Sequence, residues 1–318
     1  MFKVRFLKKR IPLAVRLQVT NRCTLQCKYC NLWNTKTEEF TKEEIFSLID
    51  QLAVLGAKRI SFSGGEPLLR KDIGEIISYC REKSIYPEMN SNGTLVPERV
   101  DEISNLDFLK LSLDGPKEIH DLLRGKGSYG QVLAAADSVS KKGMNFGFAT
   151  TLTKYNIDHL DFLLAIAEKY NTIVAFQPLK QLYRGISDIS NLAPSQDKFK
   201  KAIDKLIQTK KSGNRHMRNS LRGLKHIYNW PKYKKLRCWS GRLFCIINAD
   251  GELFPCDRIN YNSPLPNCKK QALKLALDQL PQAHCSGCGF CGSLELNYLM
   301  NFKLDIISSI RKILDKQE

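Results

Sequence analysis

Apolar and polar positions follow two alternating patterns over residues 1–180. Short apolar runs rich in β-branched and aromatic residues indicate strands, and longer runs with apolar residues at helical spacing indicate helices. The predicted strands are Val15–Thr20, Arg59–Ser63, Tyr86–Asn90, Phe108–Asp114, Asn145–Leu152 and Thr172–Pro178. The predicted helices are Lys42–Leu55, Asp72–Lys83, Pro97–Ser104, Tyr129–Lys142 and Asp158–Tyr170. This alternation predicts a parallel α/β sheet with right-handed crossovers, and six units fit a partial barrel.

The first predicted helix has a specific start signal. Thr41 followed by Glu44 is a capping box, and Gly56 lies just past the helix end. The signal fixes where the first crossover begins and supports the strand–helix order.

Polar residues follow three of the predicted strands, at the sheet edge where parallel α/β proteins carry their chemistry. The second strand ends in Ser-Gly-Gly-Glu-Pro at 63–67, where two glycines allow a close backbone approach. The third strand ends in Asn-Ser-Asn-Gly at 90–93 and the fourth in Ser-Leu-Asp-Gly at 112–115. Ser112 and Asp114 share one face of their strand. The alternative interpretation makes these ordinary turns, with His120 and Asp121 on a surface helix.

The strand–helix rhythm stops after about residue 180. A Lys-rich amphipathic helix is predicted at Pro194–Ser212, followed by a basic stretch to Arg237 and a last helical run at Leu294–Lys316. The last run places Leu299, Phe302, Ile306, Ile310 and Ile313 on one apolar face. We expect this face to pack across the barrel, and an interfacial membrane helix is the alternative.

The charge balance is strongly basic, with 50 Lys and Arg against 32 Asp and Glu and a net charge of +18. Such a charge attracts anions, although the basic residues are spread along the chain and also suit plain solubility. No run of eighteen apolar residues suggests a membrane span, and the basic N-terminus lacks a signal-peptide pattern. We therefore predict a cytoplasmic protein, with peripheral membrane contact left open.

The eleven cysteines argue for metal rather than disulfides, because no secretion signal accompanies them. Cys80 stands alone in a helical run and reads as a buried core thiol. The others fall into two groups, at 23–30 and 238–291.

The first group has the spacing C-x3-C-x2-C, formed by Cys23, Cys27 and Cys30 directly after the first strand. Three thiolates can hold a [4Fe–4S] cluster at three irons, and the fourth iron then needs another ligand. The spacing, with the Gly-Gly-Glu-Pro run behind it, resembles the signature of radical S-adenosylmethionine (SAM) enzymes. In that family SAM occupies the open iron, and the fold is a partial (β/α)6 barrel.

The resemblance implies a set of SAM-binding residues. Tyr29 would pack near the adenine, Gly64, Gly65, Glu66 and Pro67 would hold the methionine amino group, and Ser112 would lie near the ribose or carboxylate. Arg124 could pair with the SAM carboxylate. The full implied set is Tyr29, Gly64, Gly65, Glu66, Pro67, Asn92, Ser112, Asp114, Arg124 and Gln177. The implied reaction is reductive cleavage of SAM to a 5′-deoxyadenosyl radical, which abstracts hydrogen from a substrate.

The second group begins with C-x12-G-x4-C, from Cys238 through Gly251 to Cys256, around a predicted hairpin at Ile246–Asn248 and Glu252–Phe254. It resembles the opening of the SPASM auxiliary-cluster domain, but it ends in C-x2-C-x2-C, so we interpret it as the shortened twitch form. The expected ligands of one auxiliary [4Fe–4S] cluster are Cys238, Cys256, Cys285 and Cys288. Cys291 is an alternative for one of these four ligands, and Cys245 is a weaker alternative. Cys268 is expected to be structural. A four-cysteine zinc site is the alternative.

Five parts follow from this interpretation: a basic segment at 1–14, the barrel at 15–185, a helical connector at 186–237, the auxiliary-cluster domain at 238–292 and an amphipathic helix at 293–318. The substrate stays open among a peptide, a sugar or cyclitol, and a lipid, and an anionic or lipid-linked compound would suit the charge. A reducing partner such as flavodoxin or ferredoxin is expected, and dedicated nucleic-acid binding is not. The rival class is a zinc-stabilised nucleic-acid-binding protein.

Overall fold

A computed structural model describes residues 9–180, 190–256, 261, 264–281, 285 and 288–303. Eight strands in these residues form one sheet. They are β1 (Ala14–Thr20), β2 (Arg59–Gly64), β3 (Tyr86–Ser91), β4 (Phe108–Ser112), β5 (Phe146–Leu152), β6 (Ile173–Pro178), β7 (Phe244–Ile247) and β8 (Leu253–Phe254).

The sheet order is β6-β5-β4-β3-β2-β1-β7-β8, and β1 to β6 are parallel to their neighbours. Each crossover carries a helix, which brings all six carboxyl ends to one edge of the sheet. The predicted α/β fold with an open six-unit barrel is confirmed.

Ten helices lie in the part of the chain that the structure describes. They are α1 (Lys42–Val54), α2 (Ile73–Glu82), α3 (Val96–Arg99), α4 (Lys117–Arg124), α5 (Ser128–Lys141), α6 (Leu160–Lys169), α7 (Gln196–Lys211), α8 (Leu221–Ile227), α9 (Leu273–Gln279) and α10 (Cys291–Met300). The predicted helix at Pro97–Ser104 is shorter than expected, because only one turn forms. Helix α4 was not among the predicted helices; only the alternative interpretation placed His120 and Asp121 on a helix.

The start of α1 matches its sequence signal. The Thr41 side chain accepts a hydrogen bond from the Glu44 amide at 3.2 Å, and the Glu44 carboxylate accepts one from the Thr41 amide at 2.8 Å. The predicted capping box is confirmed.

The two faces of the sheet differ in chemistry. On β1, the side chains of Val15, Leu17 and Val19 are buried in the main core under the helices. Cys80, on α2, is fully buried in the same core, as predicted. The opposite face carries polar residues, including Arg16 and Gln18 on β1, and surrounds the interior of the open barrel.

The C-terminal part is continuous with the barrel sheet. β7 pairs in parallel with β1, and β7 and β8 form the predicted hairpin. Of the last predicted helical run, Leu294–Lys316, the structure describes α10 and the residues to Lys303. Because α10 ends at Met300, Phe302 lies past the helix end and is exposed, so its predicted place on a packed helical face is wrong. Ile306, Ile310 and Ile313 lie outside the described residues, as do residues 1–8. No helix in the described ranges combines the length and apolar character that a membrane crossing requires.

Candidate active site at the strand ends

A cavity lies at the carboxyl ends of β1 to β4. All three thiols of the first cysteine group line it, together with residues from the ends of β2, β3 and β4. The lining residues are Cys23, Leu25, Cys27, Tyr29, Cys30, Trp33, Ser63, Gly64, Gly65, Asn90, Ser91, Asn92, Ser112 and Arg124. The predicted cysteine loop and the polar strand ends therefore meet at one place.

The cysteine loop is fixed at its start by the glycines that end β2. The amide of Gly65 donates to the carbonyl of Thr20 at 2.8 Å, and the amide of Glu66 donates to the carbonyl of Arg22 at 2.8 Å. A Cβ at Gly64 would lie 2.0 Å from the Thr20 carbonyl oxygen, and one at Gly65 would lie 1.9 Å from that of Arg22. The glycines thus allow the backbone before Cys23 to approach β2 closely. The sequence alone suggested instead that they allow a ligand to approach the backbone.

The loop is also fixed at its middle and end. The Lys28 amide donates to the Leu123 carbonyl at 2.9 Å, and the Cys30 amide donates to the Cys27 carbonyl at 3.0 Å. The Trp33 indole donates to the Cys30 carbonyl at 2.9 Å. These contacts fix the backbone that carries Cys27 and Cys30.

Glu66 connects the ends of β2 and β3 behind the cavity. Its carboxylate is fully buried and accepts hydrogen bonds from the Ser91 hydroxyl at 3.0 Å, the Asn92 amide at 2.8 Å and the Leu68 amide at 3.3 Å. Burial raises its pKa to about 7, although these hydrogen bonds oppose the shift. Pro67, next to it, is buried in the first turn of a short 3-10 helix, Pro67–Leu69.

Asn92 positions the first cysteine. Its amide nitrogen donates to the Thr24 hydroxyl at 2.9 Å and lies 3.6 Å from the Cys23 sulfur. Its carbonyl oxygen accepts from the Thr94 amide at 2.9 Å. The sequence predicted that Asn92 belongs to the site, but it did not predict that Thr24 binds the Asn92 side chain.

A buried network joins the end of β4 to the cysteine loop. The Tyr29 hydroxyl donates to the Asp114 carboxylate, which also accepts from Arg124 Nε at 2.6 Å and the Thr151 amide at 3.0 Å. The Arg124 guanidinium reaches 4.0 Å from the Cys27 sulfur and lies 5.5 Å from the Tyr29 ring centre. Burial raises the pKa of Cys27 to about 11, and the Arg124 charge opposes that shift, favouring a thiolate.

His120 lies on α4 but is fully buried beneath this network, so the alternative interpretation was right about the helix and wrong about the surface position of His120. Its Nδ1 accepts from the Asp114 amide at 3.1 Å. Burial, aided by the Arg124 charge, lowers the pKa of His120 to about 4, so its ring is neutral near pH 7. Gln177 lies on β6 and donates to Thr151 at 3.4 Å.

The residues that line the cavity fit an iron–sulfur cluster. Three thiols converge on one space beside the paired cation Arg124, and the buried Ser63 hydroxyl lacks a hydrogen-bond partner among the described residues. Three thiols that line one cavity are the ligands that an iron–sulfur cluster prefers.

Three cysteines of the second group lie close enough to Tyr261 for their charges to affect its hydroxyl. Burial raises the pKa of the Tyr261 hydroxyl, and Cys256, Cys285 and Cys238 raise it further. Cys288 is buried. The Cys291 sulfur contacts the end of β6, 2.8 Å from the Phe176 carbonyl, and lies 3.3 Å from the Asn219 side-chain amide nitrogen. Cys245 is buried on β7, and burial raises its pKa to about 12. The predicted ligand set Cys238, Cys256, Cys285 and Cys288 stays a prediction.

Comparison with known families matches residues 17–166 to the Radical SAM superfamily. This range contains β1, the three-cysteine loop and the strand ends around the cavity. Residues 17–166 of the chain therefore form a radical SAM domain. Members of the superfamily use SAM and a [4Fe–4S] cluster, so the predicted cofactors of the barrel are confirmed.

Two curated relatives of this chain have different activities. The chain is 31% identical over 214 residues to an Fe-coproporphyrin III synthase of Methanosarcina barkeri, covering 64% of this chain and 53% of the relative. It is 25% identical over 256 residues to the mycofactocin maturase MftC of Mycolicibacterium smegmatis, covering 77% and 64%. The chain therefore spans between half and two thirds of the length of these relatives.

A solved structure shares the fold of this radical SAM protein. Native anSMEcpe with bound AdoMet and Cp18Cys peptide aligns with a TM-score of 0.68 at 20% identity, covering 96% of this chain and 98% of that one. The alignment extends beyond the barrel into the Cys-rich C-terminal part.

Proposed function

We propose that this protein binds a [4Fe–4S] cluster through Cys23, Cys27 and Cys30 and cleaves SAM reductively to abstract hydrogen from a substrate. The observation that supports this most directly is the cavity shared by these thiols and the polar strand ends. When bound, the cluster would supply the electron that splits SAM into methionine and a 5′-deoxyadenosyl radical.

The remaining lining residues would hold SAM. Gly64 and Gly65 line the cavity at the end of β2, and Ser112 lines it from the end of β4. Arg124 carries positive charge to the same wall, which suits a carboxylate, and Tyr29 supplies an aromatic surface for the adenine. Glu66, Pro67, Asp114 and Gln177 would act from behind this wall by fixing its geometry.

The second cysteine group would hold the auxiliary [4Fe–4S] cluster. Its support is the proximity of Cys238, Cys256 and Cys285 to Tyr261. Cys288 follows Cys285 closely enough to complete a four-thiolate set, whereas Cys291 contacts β6. A complete set closes the cluster and suits electron transfer. The electron donor would be a small reducing partner such as flavodoxin or ferredoxin.

The test is anaerobic turnover of reconstituted protein with SAM and dithionite. We expect brown protein with about eight irons per chain and release of 5′-deoxyadenosine. The Cys27→Ala variant should release none, whereas Cys80→Ala, which removes a thiol from the core far from the cavity, should retain release. Release by the Cys27→Ala variant at the unmodified rate would refute the proposal.

The auxiliary assignment has its own test. Cys256→Ala should lower the iron content by about half, whereas Cys245→Ala should leave it unchanged, because Cys245 is buried on β7. Equal iron in the Cys256→Ala variant and the unmodified protein would contradict the assignment.

A peptide is the first proposed substrate class, supported by the similarity to a maturase over 77% of this chain. A tetrapyrrole is the second, supported by 31% identity to an Fe-coproporphyrin III synthase. Deuterium transfer from labelled candidates into 5′-deoxyadenosine would separate them, because only the true substrate donates its hydrogen to the radical.

A further inference from the structure

The cysteine loop separates the cavity from solvent by a single thickness of chain. Over residues 23–29 the side chains alternate between two environments. The odd-numbered ones line the cavity, and they are Cys23, Leu25, Cys27 and Tyr29. The even-numbered ones are exposed and are not among the lining residues: Thr24, Gln26 and Lys28. The cavity therefore lies on one side of this loop and solvent on the other, directly behind the thiols.

The C-terminal end of helix α4 borders the outer side of the loop. The Lys28 amide donates to the Leu123 carbonyl at 2.9 Å, which joins the two backbones. The neighbouring Leu122 side chain is 42% exposed, one of four large apolar side chains left exposed among the described residues. This leucine adds an apolar contact point beside the loop. We define the loop surface as the exposed residues Thr24, Gln26, Lys28, Leu122 and Lys126.

The charged side chains of the loop surface are positive. Lys28 belongs to the loop itself. Lys126 follows Gly125, where an added Cβ would lie 3.9 Å from Leu25 Cδ2, so the chain before Lys126 lies against the loop. Neither lysine forms an ion pair with a residue that the structure describes. Both charges are therefore available to a partner.

Carboxylates that flank the loop surface are paired with cations of their own. Asp121 on α4 pairs with Lys117 at 2.9 Å, and Glu39 pairs with Arg22, at the start of the loop, at 3.2 Å. Glu118 lies six residues before the end of α4, which places it about 9 Å further along the helix axis. The two lysines thus leave the loop surface with a positive charge.

A small acidic electron-transfer protein suits this surface. The proposed reaction requires an electron from outside, and the loop surface lies one backbone layer from the three thiols. A protein seated there would be about 10 Å from the cavity, the spacing between two packed backbone layers. Contacts between redox partners are small, below about 1,200 Å², and complementary charges guide their encounter. The net charge of +18 favours approach of an acidic protein as well.

We propose that the loop surface docks a small acidic electron-transfer protein, which passes its electron to the barrel cluster across the cysteine loop. This proposal rests on the proposed function and adds the place where its reducing partner binds. The reduced carrier loses one electron and the cluster gains it, with no bond formed or broken. Lys28 and Lys126 attract the acidic groups of the carrier, and Leu122 packs against it.

The test uses two acidic carriers, a flavodoxin and a plant-type ferredoxin, with anaerobic, cluster-loaded protein in the absence of SAM. Calorimetric titration with the oxidised carrier gives the Kd, and stopped-flow absorbance with the reduced carrier gives the rate of cluster reduction. The double variant Lys28→Glu/Lys126→Glu should weaken binding of at least one carrier about ten- to hundredfold and slow its electron transfer similarly. It should keep its iron and still be reduced fully by dithionite, which needs no docking surface.

Lys141→Glu is the matched control and should bind both carriers as the unmodified protein does. Lys141 is exposed at the C-terminal end of α5. Because the crossover helices run antiparallel to the strands, that end lies at the sheet edge opposite the cysteine loop. Binding to the unmodified protein should also weaken as salt rises, since the lysines are exposed. This arm needs no variant, so misfolding of the double variant does not obscure the result.

Three results would overturn the proposal. One is that neither carrier binds the unmodified protein with a Kd below about 1 mM, or that binding is independent of salt. Another is a folded double variant that binds both carriers, or is reduced by them, within twofold of the unmodified protein. The third is tighter binding of an oligonucleotide than of either carrier, lost in the double variant. Since SAM is absent, failure to release 5′-deoxyadenosine with dithionite would refute only the proposed function.

Discussion

Gly65→Ala is predicted to displace the cysteine loop while leaving its three thiols in the sequence. The added Cβ would lie 1.9 Å from the Arg22 carbonyl oxygen and 2.6 Å from that of Asn21. Real Cβ atoms essentially never come closer than 3.0 Å, so the two backbones must separate by about 1 Å. Both contacts are to backbone, which cannot rotate away as a flexible side chain would.

The cost can be estimated from what the separation disrupts. Overpacking of this kind costs roughly 1–3 kcal/mol. The hydrogen bonds from Gly65 to Thr20 and from Glu66 to Arg22, both 2.8 Å, would stretch, at roughly 0.5–1.5 kcal/mol each. The total is about 2–6 kcal/mol, a large part of the roughly 5–15 kcal/mol that stabilises a typical domain.

The assay is anaerobic urea unfolding together with iron content. Gly65→Ala should lower the free energy of unfolding by about 2–6 kcal/mol and reduce iron at the barrel cluster, because Cys23 directly follows the displaced backbone. Gly130→Ala is the control: a Cβ there meets nothing within 4 Å, and Ala in helix α5 should stabilise by roughly 0.5–1 kcal/mol. A Gly65→Ala variant with unchanged stability and full iron would refute this reasoning.

Two further predictions concern stability. Thr41→Ala should lower the free energy of unfolding by about 1 kcal/mol, because it removes the acceptor for the Glu44 amide; equal urea midpoints for variant and unmodified protein would contradict this. Glu66→Gln tests the raised pKa of about 7, against an ordinary value of 4.5. The folded state holds the Glu66 proton more tightly than the unfolded state does. The free energy of unfolding of the unmodified protein, relative to that of the variant, should therefore decrease by at most about 3 kcal/mol as the pH rises from about 4.5 to 7, and should stay constant at higher pH. A difference that stays constant with pH from 4 to 8 would show that burial does not perturb this carboxyl.

The barrel was predictable because its strands and crossover helices carry strong local patterns. Apolar β-branched runs separated by helical periods specify the six strands, and Thr41 with Glu44 specifies where α1 starts. The parallel pairing of β7 with β1 was not predictable, since joining residues so distant in the sequence depends on packing and not on local pattern.

The candidate site was predictable as a set of residues but not as a set of contacts. The cysteine spacing and the polar strand ends identified most residues that line the cavity. Sequence gave no sign that Gly64 and Gly65 accommodate the Thr20–Arg22 backbone, or that Asp114 accepts from both Tyr29 and Arg124. Such contacts join separate elements, and only the fold brings them together.

The most direct test of the central claim is electron–nuclear double resonance of the reduced, anaerobic protein with SAM labelled with ¹⁵N at its amino group. If Cys23, Cys27 and Cys30 hold three irons and SAM binds the fourth, the cluster signal should show a hyperfine coupling to the label. The coupling should disappear in Cys27→Ala and persist in Cys80→Ala. A reduced cluster signal with no coupling to labelled SAM would contradict the account.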